Sequence, residues 1–181
     1  MEPVGVGVTR ASADLVITAA WTDYHAELFA FLVRGTRQPD VAEDLLQDAF
    51  IRLTREVRSG RTPDNIRAWL YRVCANLVVS RGRRLSTAVR GLVKLRGPAD
   101  SHRAPDAPEA GFLQQEAHAV LMGLLDDVGP DARTALLLSS EGFSGVEIAE
   151  AIGRSELATR ALLTRTRVKL RQGLEAAEAG R

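Results

Sequence analysis

Apolar residues recur along this chain at spacings of three and four, and no stretch of useful length alternates as a half-buried strand would. From Asp14 to Val33 the series Leu15, Ala19, Ala26, Phe29, Ala30 and Val33 predicts a helix that Gly35 ends. A second helix is expected from Asp40, with Asp40 as cap and Glu43 three residues on, as in a capping box. Its stripe is Val41, Leu45, Ala49 and Leu53, with Leu46 and Phe50 beside it, and Ser59-Gly60 closes it. Thr62-Pro63 is expected to open a third helix, because threonine caps well and proline suits a first turn. That helix carries Ile66, Leu70, Val73, Leu77 and Val78 and runs to about Arg84.

The composition then shifts. Residues 96–111 read RGPADSHRAPDAPEAG, rich in proline and without a large apolar side chain, which predicts a linker. Helical spacing resumes at Leu113, Ala117, Val120, Leu121 and Leu124, then after Gly129-Pro130 to about Ser140. A short helix over 144–152 follows, with Ser144 and Glu147 as a capping box and Val146, Ile148, Ala149 and Ile152 as its buried side. Gly153 is the turn, and Ser155 caps a last helix that continues through Leu157, Leu162, Leu163, Val168 and Leu170 to about Glu175. The expected fold is all-α: two small helical domains, 12–96 and 112–176, joined by a linker at 97–111. Residues 1–11 are expected to be disordered.

Charge sharpens this picture. The formal net charge is only +1, yet the charges are segregated. Residues 52–96 hold twelve Arg and Lys against two acids, and 154–171 hold six against one. Residues 38–50 hold four acids, Asp40, Glu43, Asp44 and Asp48, and no base. A basic run in each domain favours nucleic acid as a partner. Glu43, Asp44, Gln47 and Asp48 lie at i, i+1, i+4 and i+5, so they share a helix face opposite Val41 and Leu45 and suit a basic partner helix. Around Trp69, Tyr71 and Arg72 aromatic rings sit among arginines, a combination that holds unstacked bases. Asn76 offers a donor and an acceptor to a base edge, and Arg81, Arg83 and Arg84 follow it. Trp69 fits a core position equally well. Tyr71 lies off the Ile66–Leu70–Val73–Leu77 stripe and is expected in solvent. The short helix, Gly153 and the Ser155-capped helix form a helix-turn-helix pattern, whose second helix enters a major groove. Arg154, Ser155, Thr159, Arg160, Thr164, Arg165 and Arg167 are its candidate DNA contacts.

Two stretches carry a resemblance. Asp40-Val-Ala-Glu-Asp-Leu-Leu-Gln-Asp-Ala-Phe50 and Ala68-Trp-Leu-Tyr-Arg-Val-Cys-Ala-Asn76 resemble region 2 of the extracytoplasmic-function sigma factors of the sigma-70 family. Leu121 through Pro130, Arg133, Gly142-Phe-Ser144, Glu147-Ile-Ala149 and Gly153 to Arg171 resembles their region 4. The resemblance implies a transcription-initiation factor. Its first domain would bind core RNA polymerase, through the beta and beta-prime subunits, and would recognise and melt the −10 element. Its second domain would recognise the −35 element. Residues 58–65 would then also touch a flipped base, and a partner anti-sigma factor would hold the chain inactive. One departure stands out: the base that the family usually carries in the recognition helix is replaced by Leu162, so Leu157 and Leu162 are also candidates for contacting a protein.

Other classes find little support. No nucleophile motif, phosphate loop or pair of catalytic carboxylates is evident, so neither an enzyme nor a cofactor is expected. The single cysteine, Cys74, excludes an internal disulfide and is expected buried, and His25, His102 and His118 share no metal spacing. No apolar run approaches the ~20 residues of a membrane span, no signal peptide is evident, and a cytoplasmic protein is expected. A free-standing helix-turn-helix repressor is the main alternative, but it leaves the acidic helix and the aromatic-basic helix without a role. An interaction adaptor built on a sigma-like scaffold is the other.

Overall fold

A computed structural model describes residues 10–93, 123–125 and 128–179. All regular structure among them is helical. Its elements are α1 (Arg10–Thr36), α2 (Pro39–Arg58), α3 (Ile66–Val93), α4 (Pro130–Ser140), α5 (Gly145–Ile152) and α6 (Glu156–Ala179), with a short helical stretch at 123–125. The tertiary contacts divide the chain into two units, Met1–Val78 and Val79–Arg181. The segment expected as a linker, residues 1–9 and most of the helix expected over 113–125 lie outside the described residues.

In the first unit α1 and α2 form an antiparallel hairpin. The chain reverses at Arg37, whose φ of 63° is left-handed, and Arg58 at the far end of α2 reaches Asp14 near the start of α1 at 2.9 Å. Asp40 does not cap α2 as expected. Gln38 is the N-cap, without a side-chain cap bond, and Pro39 occupies the first turn, where its missing N–H costs nothing. Helix α3 likewise starts at Ile66, not at Pro63. Asn65 supplies the cap, its Oδ1 accepting the Ala68 N–H at 2.9 Å.

The core of this unit differs from the expected faces in one consistent way. Helix α1 is apolar around most of its circumference, so spacing alone does not choose a side. The buried side is Ala13, Ala20, Leu28, Phe31 and Leu32, whereas Leu15 is 72% exposed and Phe29 36%. On α3 the buried stripe is Leu70, Tyr71, Cys74, Ala75 and Val78, one position round from the expected one. The two shifts meet, because Phe31 and Tyr71 pack edge to face at 5.1 Å. Such a pair adds about 0.5–1.5 kcal/mol to the burial of its rings. Helix α2 has the expected face, with Leu45, Leu46, Ala49, Phe50 and Leu53 buried. Cys74 is buried as expected, and burial pushes its thiol up to about 12.

In the second unit α4, α5 and α6 enclose Ala135, Leu138, Ile148, Ala149, Ile152 and Leu163. The Ser144/Glu147 capping box is present at α5. Gly153 closes α5 in the left-handed region, at φ 65°, ψ 46°, a conformation that strains any residue with a Cβ. Ser155 caps α6, its Oγ accepting the Ala158 N–H at 3.3 Å. Val146, expected inside, is 51% exposed, and Ala151 is buried instead. Gly82 marks a close approach: a Cβ there would stand 2.6 Å from the Pro130 ring. Arg133 donates to the Leu125 carbonyl at 2.7 Å and the Val128 carbonyl at 3.3 Å, tying α4 to the chain just before it.

Candidate polymerase and nucleic-acid interfaces

Helix α2 presents the acidic face that its spacing predicts. Glu43, Asp44, Gln47 and Asp48 are all exposed, while the opposite side of the helix is locked into the core through Ala42, Leu45, Ala49 and Leu53. Among the described residues these four side chains make no hydrogen bond or ion pair. Beside them runs a groove that sequence reasoning missed, about 450 Å³ in volume and lined by Trp21, His25, Ala26, Phe29, Glu43, Leu46 and Gln47. Trp21, His25 and Phe29 recur at i, i+4 and i+8 on α1, a spacing that could have revealed the ridge. Trp21 stacks on His25 at 5.2 Å and meets Phe50 edge-on at 4.8 Å, yet remains 43% exposed. His25 Nδ1 lies 2.8 Å from the Trp21 carbonyl oxygen.

On α3, Trp69, Arg72 and Asn76 are spaced at i, i+3 and i+7 and so share a face. Trp69 is half-buried, and Arg72 and Asn76 are exposed. Tyr71 is not on that face, which corrects the expectation that it is a platform for bases. It is fully buried against Phe31, and no ring surface remains for a nucleotide. Its environment is completed by Arg67, whose guanidinium carbon lies 4.7 Å from the ring centroid and whose Nη2 reaches the Tyr71 hydroxyl at 3.4 Å. Arg67 also donates to Glu27 at 2.9 Å, which ties α3 to α1. In the loop before α3, Arg61 donates to Glu56 at 2.9 Å and holds that carboxyl below its usual range.

Arg81, Arg83 and Arg84 are exposed, but Arg83 has an intramolecular role. Its Nη2 donates to Asp131 Oδ2 at 3.1 Å and to the Ile152 carbonyl at 2.7 Å, at the end of α5. Arg154, in the turn of the helix-turn-helix, donates to the same Asp131 oxygen from Nε at 3.0 Å and from Nη2 at 2.7 Å. The Asp131 side chain is only 14% exposed. It sits in the first turn of α4, where the helix N-terminus also favours a carboxylate. Two arginines expected on DNA are thus drawn to one internal acid. The only sequence signal for Asp131 is its place directly after Pro130 at a helix start.

The second helix of the motif, α6, sets out the remaining candidates. Ser155, Arg160, Thr164, Arg165 and Arg167 are exposed. Arg160 pairs with Glu156 at 3.1 Å, Arg165 Nε donates to the Ala161 carbonyl at 3.2 Å, and Arg167 donates to Ser139 Oγ at 2.8 Å. Thr159 does not face solvent, a second correction. It is fully buried with Leu163 and Thr166, and its Oγ1 has no hydrogen-bond partner among the described residues. The reason is rotational: 159, 163 and 166 form the stripe that closes the core, so 159 cannot also face a groove. Leu162 is half-buried, and Leu157 is 78% exposed.

Comparison with known proteins follows the same lines. A family model described as sigma-70 region 2 matches residues 20–87. The chain is 31% identical to the ECF RNA polymerase sigma factor SigE of Mycolicibacterium smegmatis, with 96% of this chain and 68% of that protein covered. It is 30% identical to the RNA polymerase sigma-H factor of Pseudomonas aeruginosa, with 82% and 78% covered. Among solved structures its fold is similar to that of the sigma factor RpoE of Bartonella quintana, in a co-crystal with the anti-sigma factor NepR. That match has a TM-score of 0.64 at 22% identity and covers 88% of this chain and 97% of that one. No helix among the described residues is long and apolar enough to cross a membrane.

Proposed function

We propose a division of labour for this chain, which belongs to the extracytoplasmic-function sigma factors of the sigma-70 family. A sigma factor is a non-catalytic subunit that directs core RNA polymerase to promoters, and that is the activity of this protein. In our reading residues 12–96 bind the polymerase and open the −10 element, residues 97–111 link, and residues 112–176 recognise the −35 element. Such a protein works in the cytoplasm, beside the polymerase it serves.

The observation that carries the polymerase assignment is the face of Glu43, Asp44, Gln47 and Asp48. Carboxylates presented in solvent by a helix anchored in the core, without a partner among the described residues, suit a basic helix of another protein, since no internal ion pair has to break on docking. The apolar groove of Trp21 and Phe29 beside them adds contact area for the same partner. Opening of the duplex falls to Trp69, Arg72 and Asn76, which stand together on α3, with Arg81 and Arg84 as phosphate contacts. Tyr71 supports them from the core. Arg160, Arg165 and Arg167 position α6 on a duplex. An anti-sigma factor is the inhibitory partner we propose, one that covers one or both of these interfaces.

The test is co-purification with core enzyme. Asp44→Lys with Asp48→Lys reverses the face at two exposed positions and leaves the α2 core untouched. The expected result is loss of core binding with unchanged helix content. Full binding by the folded double variant would refute the assignment.

A further inference from the structure

The outer surface of α6 has a chemical character of its own. Leu157, Ala161, Thr164 and Val168 recur at i, i+4, i+7 and i+11, so they form one ridge along the helix. The ridge lies opposite the buried stripe of Thr159, Leu163 and Thr166. All four are exposed, Leu157 at 78% and Val168 at 46%. None is charged, and each ends in at least one methyl group. Three of the five bases of the helix flank the reading part of the ridge, Arg160 and Arg167 on one side, Arg165 on the other. Each of these three guanidiniums is engaged by its own unit, on Glu156, Ser139 Oγ and the Ala161 carbonyl.

A leucine this exposed contributes nothing to the core, and it stands in the first turn of the second helix, the end that meets base edges in a helix-turn-helix. In the major groove only thymine offers an apolar feature, its C5-methyl, whereas guanine is read by a free bidentate arginine. We propose that α6 reads its duplex element chiefly through thymine methyl groups, with Leu157, Ala161 and the Thr164 methyl as the reading residues. From Leu157 to Thr164 the ridge spans about 10.5 Å of helix axis, some three base-pair steps at ~3.4 Å each. The substrate class is therefore a short A·T-rich duplex with thymines on the strand that faces the ridge. This inference rests on the assignment of α6 as the −35 reader and adds the chemistry of its specificity, which the replacement of a base by Leu162 left open.

The experiment reconstitutes full-length chain with core polymerase and selects from duplexes with a randomised upstream element. The selected element is then resynthesised with deoxyuridine in place of each thymine, which deletes only the methyl group. The expected result is an element that requires thymine at two or three adjacent steps, and a loss of about fourfold in binding per methyl removed. Leu157→Ala, a change at an exposed site that leaves the fold intact, is expected to abolish the uridine effect at one of those steps and not at the others. A selected element that requires guanines and is indifferent to uridine overturns the methyl readout while leaving the −35 assignment in place. No enrichment of any upstream sequence, with transcription still initiated, overturns the assignment of α6 itself.

Discussion

On α2 the carboxylates of Glu43, Asp44 and Asp48 stand in solvent without a partner among the described residues, whereas Asp131 on α4 is nearly closed off and holds Arg83 and Arg154 at 3.1 and 2.7 Å. The two regions use charge in opposite directions. The first unit pairs Asp14, Glu27 and Glu56 with its own arginines but leaves the acids of the α2 face in solvent. In the second, part of the positive charge holds the turn of the motif in place. The difference shows that a basic residue in a DNA-binding motif is not automatically a DNA contact. Arg83 and Arg154 have the right sequence positions, but each must leave Asp131 before it can serve a phosphate.

The largest effect that would break this comparison is on the polymerase side. Close charge pairs across an interface are coupled by about 1.5–7 kcal/mol. Reversing both Asp44 and Asp48 is therefore expected to weaken core binding at least about a hundredfold, read by titration of labelled chain with core enzyme. A tenfold loss or less would mean that the apolar groove of Trp21 and Phe29 carries the contact instead.

Next comes Asp131→Ala. It removes the carboxylate that Arg83 and Arg154 share, leaving Arg83 the Ile152 carbonyl, and is expected to destabilise the second unit by roughly 1–3 kcal/mol, read by thermal or urea unfolding. The freed arginines should also make duplex binding steeper in salt, by up to about two in the log–log slope. If stability falls and the slope stays the same, the two arginines are purely structural.

A smaller pair of changes separates the buried and exposed faces of α3. Tyr71→Phe keeps the packing against Phe31 and removes the hydroxyl that meets Arg67, so a loss of about 1 kcal/mol in stability is expected, with promoter opening preserved. Asn76→Ala is expected to leave stability within about 0.5 kcal/mol and to impair opening, followed by permanganate reactivity of unpaired thymines. The opposite pattern would place Tyr71 on the DNA.

The smallest effect concerns Cys74. Its thiol is pushed up to about 12 by burial, against an ordinary value of 9.0. Below pH 9 both folded and unfolded chains keep the proton, and stability is unaffected. As pH rises from about 9 towards 12 the unfolded chain loses the proton first, and stability falls with pH. Native protein at pH 8 should resist iodoacetamide, and urea-unfolded protein should react. Alkylation of the native protein at the unfolded rate would show that α3 is not packed as described.

Legibility followed amphipathicity. Helix α2 has a sharply two-sided pattern, and both its core face and its acidic face could be read from spacing. The capping box at Ser144 and the turn at Gly153 were equally plain, because each rests on a bond or a backbone angle that few residues can supply. Helix α1 has apolar residues on nearly every side, so the face that packs is chosen by its neighbours. The same tertiary choice rotates the α3 stripe by one position and takes Tyr71 inside. Thr159 was misread for a related reason: its residue type suits a groove, but the register of α6 is fixed by Leu163 and Thr166. Asp131 left almost no sequence trace, since an acid at a helix start is common and its two arginines lie 48 and 23 residues away.

The central claim is that the chain brings core polymerase to promoters through an outward acidic face and two DNA-binding units. The most direct measurement is transcription in vitro from fragments of the host genome, with purified core enzyme, in the presence and absence of the chain. The account predicts transcripts that start at discrete sites only when the chain is added, and their loss with the Asp44→Lys/Asp48→Lys variant. Absence of any chain-dependent start site, together with tight binding of the chain alone to duplex DNA, would contradict it.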